Sequence, residues 1–164
     1  MKKLSIILFS FCVVFIFSFK AISSAILPRQ KVSDEKIFYR LDGTSLAFKE
    51  LFKSSKTILF LWARSCPHCR SELRRINRKY PFDKKIQVYY INVKESKERV
   101  EREVESMRLD KRISDNILLD RTGYVLGKYR IIGVPTYLFF KDGELIQRSH
   151  FLGENLIREI FKDE

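Results

Sequence analysis

Cys66 and Cys69 stand in the segment WARSCPHC with C-x-x-C spacing, directly after the apolar run 57–62. We predict that this run is a buried strand and that a helix begins at the first cysteine. The free backbone amides and the dipole of a helix N-terminus stabilise a thiolate. Cys66 is therefore the candidate nucleophile for thiol–disulfide exchange, and Cys69, one turn further on, is the candidate resolving cysteine.

The residues around the first cysteine favour the same chemistry. Pro67 suits the first turn of a helix, because its missing N–H would have no partner there. Positive charge and hydrogen-bond donors come from three neighbours, His68, Arg64 and Arg70. We expect them to lower the pKa of Cys66 further, which stabilises the reduced form and makes the disulfide a stronger oxidant.

Metal binding and inert burial are the alternative roles for the two cysteines. One C-x-x-C with His68 beside it offers three ligands at most, and His150 is the only other histidine of the chain. No second C-x-x-C or histidine cluster completes a zinc set. A bridge between Cys66 and Cys69 closes a very short loop and removes little entropy from the unfolded chain. Redox chemistry without a metal or other cofactor is the favoured interpretation.

Residues 1–25 have the three regions of a secretory signal. Lys2 and Lys3 precede an apolar stretch over 4–19, and small residues follow up to Ala25. The stretch is slightly long for a signal peptide and slightly short for a spanning helix, so an uncleaved membrane anchor through it stays an alternative. Either form exports the rest of the chain, to the periplasm or the outer face of the cytoplasmic membrane.

The remainder of the 164-residue chain has the size of one domain. Residues 26–36 are polar and are predicted to be a linker, which leaves 37–164 as the folded unit. Residues 26–164 carry 29 Lys and Arg against 20 Asp and Glu, a net charge of +9. There is no basic stripe interleaved with aromatic residues and no recognition-helix signature, so we expect no nucleic-acid partner. A solvated or partner-facing basic surface is the simpler interpretation.

Strand and helix patterns alternate along the folded unit. Strands are predicted over 37–41, 57–62 and 86–93, helices over 46–52, 66–80, 96–108, 124–129 and 154–161, and a hairpin over 136–149. Residues 117–119 form a further short apolar segment. Pro81 ends the helix that follows the cysteines. This order predicts a three-layer α/β domain with a mixed β-sheet flanked by helices.

Three segments resemble a known family. They are the motif from Trp62 to Leu73 with its C-P-x-C and Glu72, the sequence NVKES at 92–96, and GVPT at 133–136. These segments are similar to the thioredoxin fold, and more narrowly to the TlpA/ResA-like extracytoplasmic thiol–disulfide oxidoreductases. The resemblance covers residues 37–162, and it implies a thioredoxin-like fold.

The resemblance also implies a substrate-binding surface around the cysteines. The Val134–Pro135 bond would be cis and packed against the pair, which leaves backbone groups of Val134 free for an extended substrate and keeps metals off the thiols. Pro67 and His68 would lie on the same surface. Trp62 would flank the cysteines there. The alternatives are an ordinary turn proline at 135 and a buried core tryptophan at 62.

Glu72 is the candidate proton acceptor for Cys69. Thioredoxins carry a buried Asp six residues before the first cysteine, and Phe60 occupies that position here. The resemblance to the TlpA/ResA-like group implies the role for Glu72 instead, because that group has a Glu three residues after the second cysteine. Glu72 is one helical turn from Cys69, so it is within reach directly or through water. The alternative is a surface glutamate paired with Arg75 or Arg70.

The expected activity is reduction of disulfides in exported proteins, with the haem-binding cysteines of apocytochrome c as one candidate substrate. A membrane electron donor would keep the dithiol reduced. The Pro67-His68 pair is also that of DsbA-type oxidants, so a disulfide-introducing oxidant is the alternative. Such oxidants usually carry a long helical domain between the cysteines and the cis-proline, but the predicted charged helix and its connecting segments already occupy the residues between Cys69 and Pro135, which favours the reductase. A metal-binding or interaction module is a third alternative.

Overall fold

A seven-stranded mixed sheet forms the centre of residues 36–162, the part of the chain that this computed structural model describes. Its strands in chain order are β1 (Ile37–Arg40), β2 (Ser45–Ala47), β3 (Lys56–Trp62), β4 (Ile86–Val93), β5 (Ile117–Asp120), β6 (Thr136–Lys141) and β7 (Glu144–Ser149). The order across the sheet is β2-β1-β5-β4-β3-β6-β7. The central pairs β3–β4 and β4–β5 are parallel, and the outer pairs are antiparallel.

Helices cover both faces of this sheet. They are a 3-10 helix (Phe48–Phe52), α1 (Pro67–Arg78), α2 (Lys97–Met107), α3 (Lys111–Ser114), α4 (Tyr124–Lys128) and α5 (Glu154–Ile160). Apolar side chains of α1, α2, α3 and α5 pack on one face, and those of the 3-10 helix and α4 pack on the other. The predicted three-layer α/β architecture is confirmed.

Strand β3 supplies side chains to both cores in strict alternation. Ile58, Phe60 and Trp62 belong to the core beneath α1, while Leu59 and Leu61 belong to the opposite core. All five are fully buried. A strand that is flanked by strands and covered on both faces has no solvent side, which explains its unbroken apolar sequence.

Helix α1 begins directly after β3, at the first cysteine. Cys66 is its N-cap with extended backbone angles, and Pro67 is its first residue. The buried positions of the helix are Cys69, Leu73 and Ile76. The helix ends at Arg78 rather than at residue 80 as predicted, since Lys79 already has extended backbone angles. Residue 80 precedes Pro81 and is itself disfavoured in the helical region.

Two short elements differ from the prediction. The segment 46–52 was expected to be one helix, but Leu46 pairs with Phe38 in the β1–β2 hairpin and only the following residues form a 3-10 helix. The hairpin forms because Gly43 adopts a positive φ of 89° in the turn, and the Asp42 carboxylate accepts the Thr44 amide at 2.8 Å. Helix α3 was not predicted. Its four residues are too few to carry a periodic pattern.

The predicted signal or anchor over 1–25 lies outside the described residues, as does the predicted linker apart from Lys36. Within residues 36–162, no helix combines the length and the apolar character that a bilayer crossing requires.

Candidate active site

The two cysteines lie at the junction of β3 and α1 and are joined by a disulfide bond. Cys66 is half-buried, whereas Cys69 is fully buried in the core beneath the helix. The backbone N–H of Cys69 donates a hydrogen bond of 3.1 Å to Cys66 Sγ. The same amide would stabilise a thiolate at Cys66 after reduction, since an N-cap position points its side chain at free helical amides.

The loop before β6 closes over the first cysteine. The Val134–Pro135 peptide bond is cis, as the resemblance implied. The carbonyl oxygen of Val134 lies 3.6 Å from Cys66 Sγ. Thr136 Oγ1 donates to the Gly133 carbonyl at 2.7 Å, and His150 Nδ1 lies 2.8 Å from the Pro135 carbonyl oxygen. These contacts fix the backbone that faces the disulfide.

Trp62 does not lie on this surface, and the expectation that it flanks the cysteines was wrong. Its side chain is 0 % exposed and belongs to the same core cluster as Cys69 and Tyr90. The reason is the strand alternation. Residue 62 has the same parity as Phe60, so its side chain points under α1 rather than outward.

Exposed groups surround the half-buried Cys66. Pro67 and His68 are both exposed at the first turn of α1. Ile132, two residues before Val134 in the chain, is 103 % exposed and offers an apolar side chain on the loop before β6. Within residues 36–162, His, Cys, Asp and Glu side chains form no group of three that could hold a metal ion.

Glu72 lies half-buried on α1 and is held by two partners. Arg75 donates to both of its carboxylate oxygens, from Nε at 2.8 Å and from Nη2 at 2.7 Å. The hydroxyl of Tyr137 donates to Glu72 Oε1 at 2.6 Å. Burial raises the pKa of Glu72, but the hydrogen bonds from Arg75 and Tyr137 outweigh it and bring the pKa below its ordinary value. The pairing with Arg75, which the sequence offered as the alternative to a proton-acceptor role, is present, and the carboxylate is ionised near neutral pH.

Tyr137 is a member of this site that the sequence does not reveal. It is fully buried, its ring stacks on Phe60 with centroids 4.5 Å apart, and its hydroxyl contacts Glu72. Burial, and then the contact with Glu72, raise the pKa of Tyr137 far above its ordinary value, so the hydroxyl remains a donor. A tyrosine in an apolar strand is expected in a core, and no sequence signal marks its hydroxyl for a partner on another element.

Glu95 anchors the loop that leads to Cys66. Its Oε2 accepts the backbone N–H of Arg64 at 2.7 Å and the side-chain amide of Asn92 at 2.8 Å. Its Oε1 lies 3.7 Å from Arg64 Nε. Asn92 is fully buried at the end of β4. The NVKES segment singled out in the sequence thus fixes the chain two residues before the first cysteine.

The architecture and the bridged pair at the start of α1 define a thioredoxin-like protein with a candidate redox site. The family whose sequence model matches residues 28–154 is the AhpC/TSA family. The chain belongs to that family.

Curated relatives carry names that agree with this assignment. Sporulation thiol-disulfide oxidoreductase A of Bacillus subtilis is 32 % identical over 99 residues, which cover 57 % of this chain and 58 % of that protein. Thiol-disulfide oxidoreductase ResA of Geobacillus kaustophilus is 31 % identical over 99 residues, covering 58 % and 55 %. The chain thus spans somewhat more than half the length of these relatives.

Solved structures share the fold. StoA from Bacillus subtilis superposes with a TM-score of 0.62 at 22 % identity, covering 77 % of this chain and 96 % of that one. A secreted Mycobacterium tuberculosis disulfide oxidoreductase gives 0.61 at 15 % identity, covering 77 % and 93 %. An exposed lipoprotein thioredoxin of Streptococcus pneumoniae gives 0.56 at 20 % identity, covering 76 % and 96 %.

Proposed function

We propose that this protein is an exported thiol–disulfide oxidoreductase that reduces disulfide bonds in other exported proteins. The observation that carries the proposal is the Cys66–Cys69 pair at the N-terminus of α1, with Cys66 half-buried and Cys69 fully buried. The names of the curated relatives support the same activity.

The reaction requires no group beyond the two cysteines. The Cys66 thiolate attacks one sulfur of a client disulfide, forms a mixed disulfide and releases the other client sulfur as a thiolate, which takes up a proton. The Cys69 thiol then loses its proton and attacks Cys66 Sγ. The client leaves with both of its cysteines reduced, and the protein holds the Cys66–Cys69 disulfide. Two electrons pass to the client.

Glu72 is the proposed proton acceptor in the second step. Buried Cys69 is not in contact with bulk water, so its proton needs a nearby base, and Glu72 lies one turn along the same helix. The carboxylate is ionised, which is the form that accepts a proton, and the hydrogen bonds from Arg75 and Tyr137 that lower its pKa also make it a weaker base than an ordinary glutamate.

The client-binding surface is proposed to consist of exposed groups around Cys66. The Val134 carbonyl is 3.6 Å from the reacting sulfur and can pair with the backbone of an extended client segment. Pro67 and His68 flank the sulfur on α1, and Ile132 supplies apolar contact on the other side.

Reduction is favoured over oxidation because the segment between the cysteines and the loop before β6 contains no separate helical domain of the kind that DsbA-type oxidants carry. Residues 70–134 are all described, and they form the rest of α1, β4, α2, α3, β5 and α4, with no separate helical domain. A reductase also needs a supply of electrons. We propose a membrane electron donor, and the candidate clients include apocytochrome c.

Export is supported by the signal-like residues 1–25 and by the words that describe two neighbours of the same fold, secreted and exposed lipoprotein. The proposed location is extracytoplasmic, either free or anchored through residues 4–19.

An oxidant that introduces disulfides is the second candidate. The hydrogen bond from the Cys69 amide to Cys66 Sγ favours it, because stabilisation of the thiolate stabilises the reduced protein and makes its disulfide more oxidising.

Trapping of the mixed disulfide tests the thiol–disulfide exchange step that the reductase and the oxidant have in common. A Cys69→Ser variant should accumulate a mixed disulfide with a disulfide-bearing peptide, and a Cys66→Ser variant should not. Mass spectrometry of the quenched reaction gives the result. Trapping by neither variant, or equally by both, would contradict the proposed function.

A further inference from the structure

A basic groove begins beside the cysteine motif. It has a volume of about 460 Å³ and is lined by Arg64, Arg99, Arg102, Glu103 and Ser106. Arg64 belongs to the loop that precedes Cys66, and the other four residues lie on α2. We propose that this arginine groove binds an acidic segment of the client protein next to the disulfide being reduced. The inference rests on the proposed function and specifies the client's chemistry.

The first argument is that the groove contains positive charge that no carboxylate of the described residues compensates. Glu103 is paired with Arg70 of α1 at 2.7 Å, so its charge is already compensated. Glu95 similarly lies against Arg64. Arg99 and Arg102 are exposed and form no ion pair with any residue in the range 36–162.

The groove is lined by three arginines and one glutamate. With the ion-pair partners of Arg64 and Glu103 included, which are Glu95 and Arg70, the count is four arginines and two glutamates. Two positive charges remain without partners within the described part of the chain. Guanidinium groups are planar donors that match carboxylates in a two-point arrangement.

The second argument is the location of the groove relative to the reacting sulfur. In the sheet, β3 lies between β4 and β6. The Val134–Pro135 loop precedes β6 on one side of Cys66, and α2, which follows β4, lies on the other side. An extended client segment that contacts Val134 and passes over Cys66 therefore continues towards the arginine groove.

The third argument is that the groove is held in shape. The contact from Arg70 to Glu103 ties α1 to α2, and Glu95 holds both the backbone and the side chain of Arg64. The walls are thus fixed to the elements that carry Cys66, while the side chains of Arg99 and Arg102 remain available to a ligand.

The test uses two synthetic peptides with the same internal disulfide, one flanked by glutamates and the other by glutamines. The reduced protein is mixed with each peptide at low ionic strength, and the second-order rate constant is measured. The readout is the ratio of the two rate constants, so a general change in Cys66 reactivity cancels. We expect the protein to prefer the acidic peptide by about threefold to tenfold, the range that two exposed ion pairs supply.

The variant Arg99→Gln/Arg102→Gln should bring this ratio close to one. The matched control is Lys84→Gln/Lys85→Gln, which removes two positive charges from the exposed loop before β4, at the opposite end of the parallel strands. The control should keep the preference. A ratio that falls equally in both variants would mean that net charge alone attracts the peptide, and the proposal would be wrong.

The remaining outcomes separate the inference from the proposed function. Exchange with both peptides at equal rates overturns the groove proposal and leaves the oxidoreductase intact. Exchange with neither peptide overturns both. The last experiment measures binding of the protein to phosphatidylglycerol vesicles. If the protein binds the vesicles through Arg99 and Arg102 and shows no preference for the acidic peptide, the groove binds lipid headgroups and the proposal is wrong.

Discussion

Tyr137 donates a hydrogen bond of 2.6 Å to Glu72, across a sequence separation of 65 residues. The contact joins β6, which begins directly after Pro135, to α1, which carries Cys69. One carboxylate thus links the loop that faces Cys66 to the helix that holds the resolving cysteine. The hydroxyl also lowers the pKa of Glu72, so the position of Tyr137 and the protonation of Glu72 are coupled.

Replacement of Glu72 by Gln should slow resolution of the mixed disulfide. The amide has similar shape but accepts no proton from Cys69, and general bases contribute about 100-fold or more in rate. The initial attack by Cys66 should change by less than about twofold, because that step leaves Cys69 untouched. Rapid quenching with mass spectrometry resolves the two steps, and Glu159→Gln, at an exposed position, is the control. Equal resolution rates in the protein and the variant would remove Glu72 from the mechanism.

Glu72 should also make stability depend on pH in acid. Its pKa in the folded protein is lowered from the ordinary value of 4.5, so its contribution is present above that value and is lost as the pH falls through the folded pKa. The free energy of unfolding should therefore differ between the protein and Glu72→Gln at neutral pH. The difference should shrink as the pH falls below that ordinary value, as urea titrations at neutral and at acidic pH would show. A difference that is the same at both pH values would contradict the lowered pKa.

Replacement of Tyr137 by Phe should move the pH dependence of resolution. Loss of the hydroxyl removes one of the two groups that keep Glu72 ionised, so the pKa of Glu72 rises and the acidic limb of the rate profile shifts to higher pH. Tyr90→Phe, at another fully buried tyrosine of the sheet, controls for loss of a core hydroxyl. If both variants keep the profile of the unmodified protein, Tyr137 has a packing role alone.

Trp62 should affect stability rather than client binding. Trp62→Ala should cost about 3–5 kcal/mol, as large-to-small changes in a core do. Trp62→Phe should cost less, since the indole Nε1 has no hydrogen-bond partner within residues 36–162 and phenylalanine removes that unpaired donor. The exchange rate of Trp62→Phe with a disulfide peptide should stay within about twofold of the original. A large loss of rate without a loss of stability would return Trp62 to the binding surface.

Local signals were sufficient for much of this structure. The apolar run before Cys66 and the proline after it predict the strand-to-helix junction, because buried strands and first helical turns have strong residue preferences. The hairpin around Asp142-Gly143 is similarly local, with a glycine φ of 83° in the turn. The cis bond before Pro135 came from the resemblance and not from local pattern.

The contacts between distant segments could not be predicted. The partner of Glu72 on β6 and the anchoring of Arg64 by Glu95 depend on how strands are ordered in the sheet. The orientation of Trp62 depends on which face of β3 the helix α1 covers. Periodicity gives the faces of an element but does not say what packs on each of them.

The reduction potential of the Cys66–Cys69 pair tests the proposed reductase most directly. The purified protein is equilibrated with thiol buffers of defined potential, and its free thiols are counted. A value near or below about −270 mV, the thioredoxin level, is the result that the proposal predicts. A value near about −120 mV, where DsbA lies, would contradict it and would make this protein a donor of disulfides.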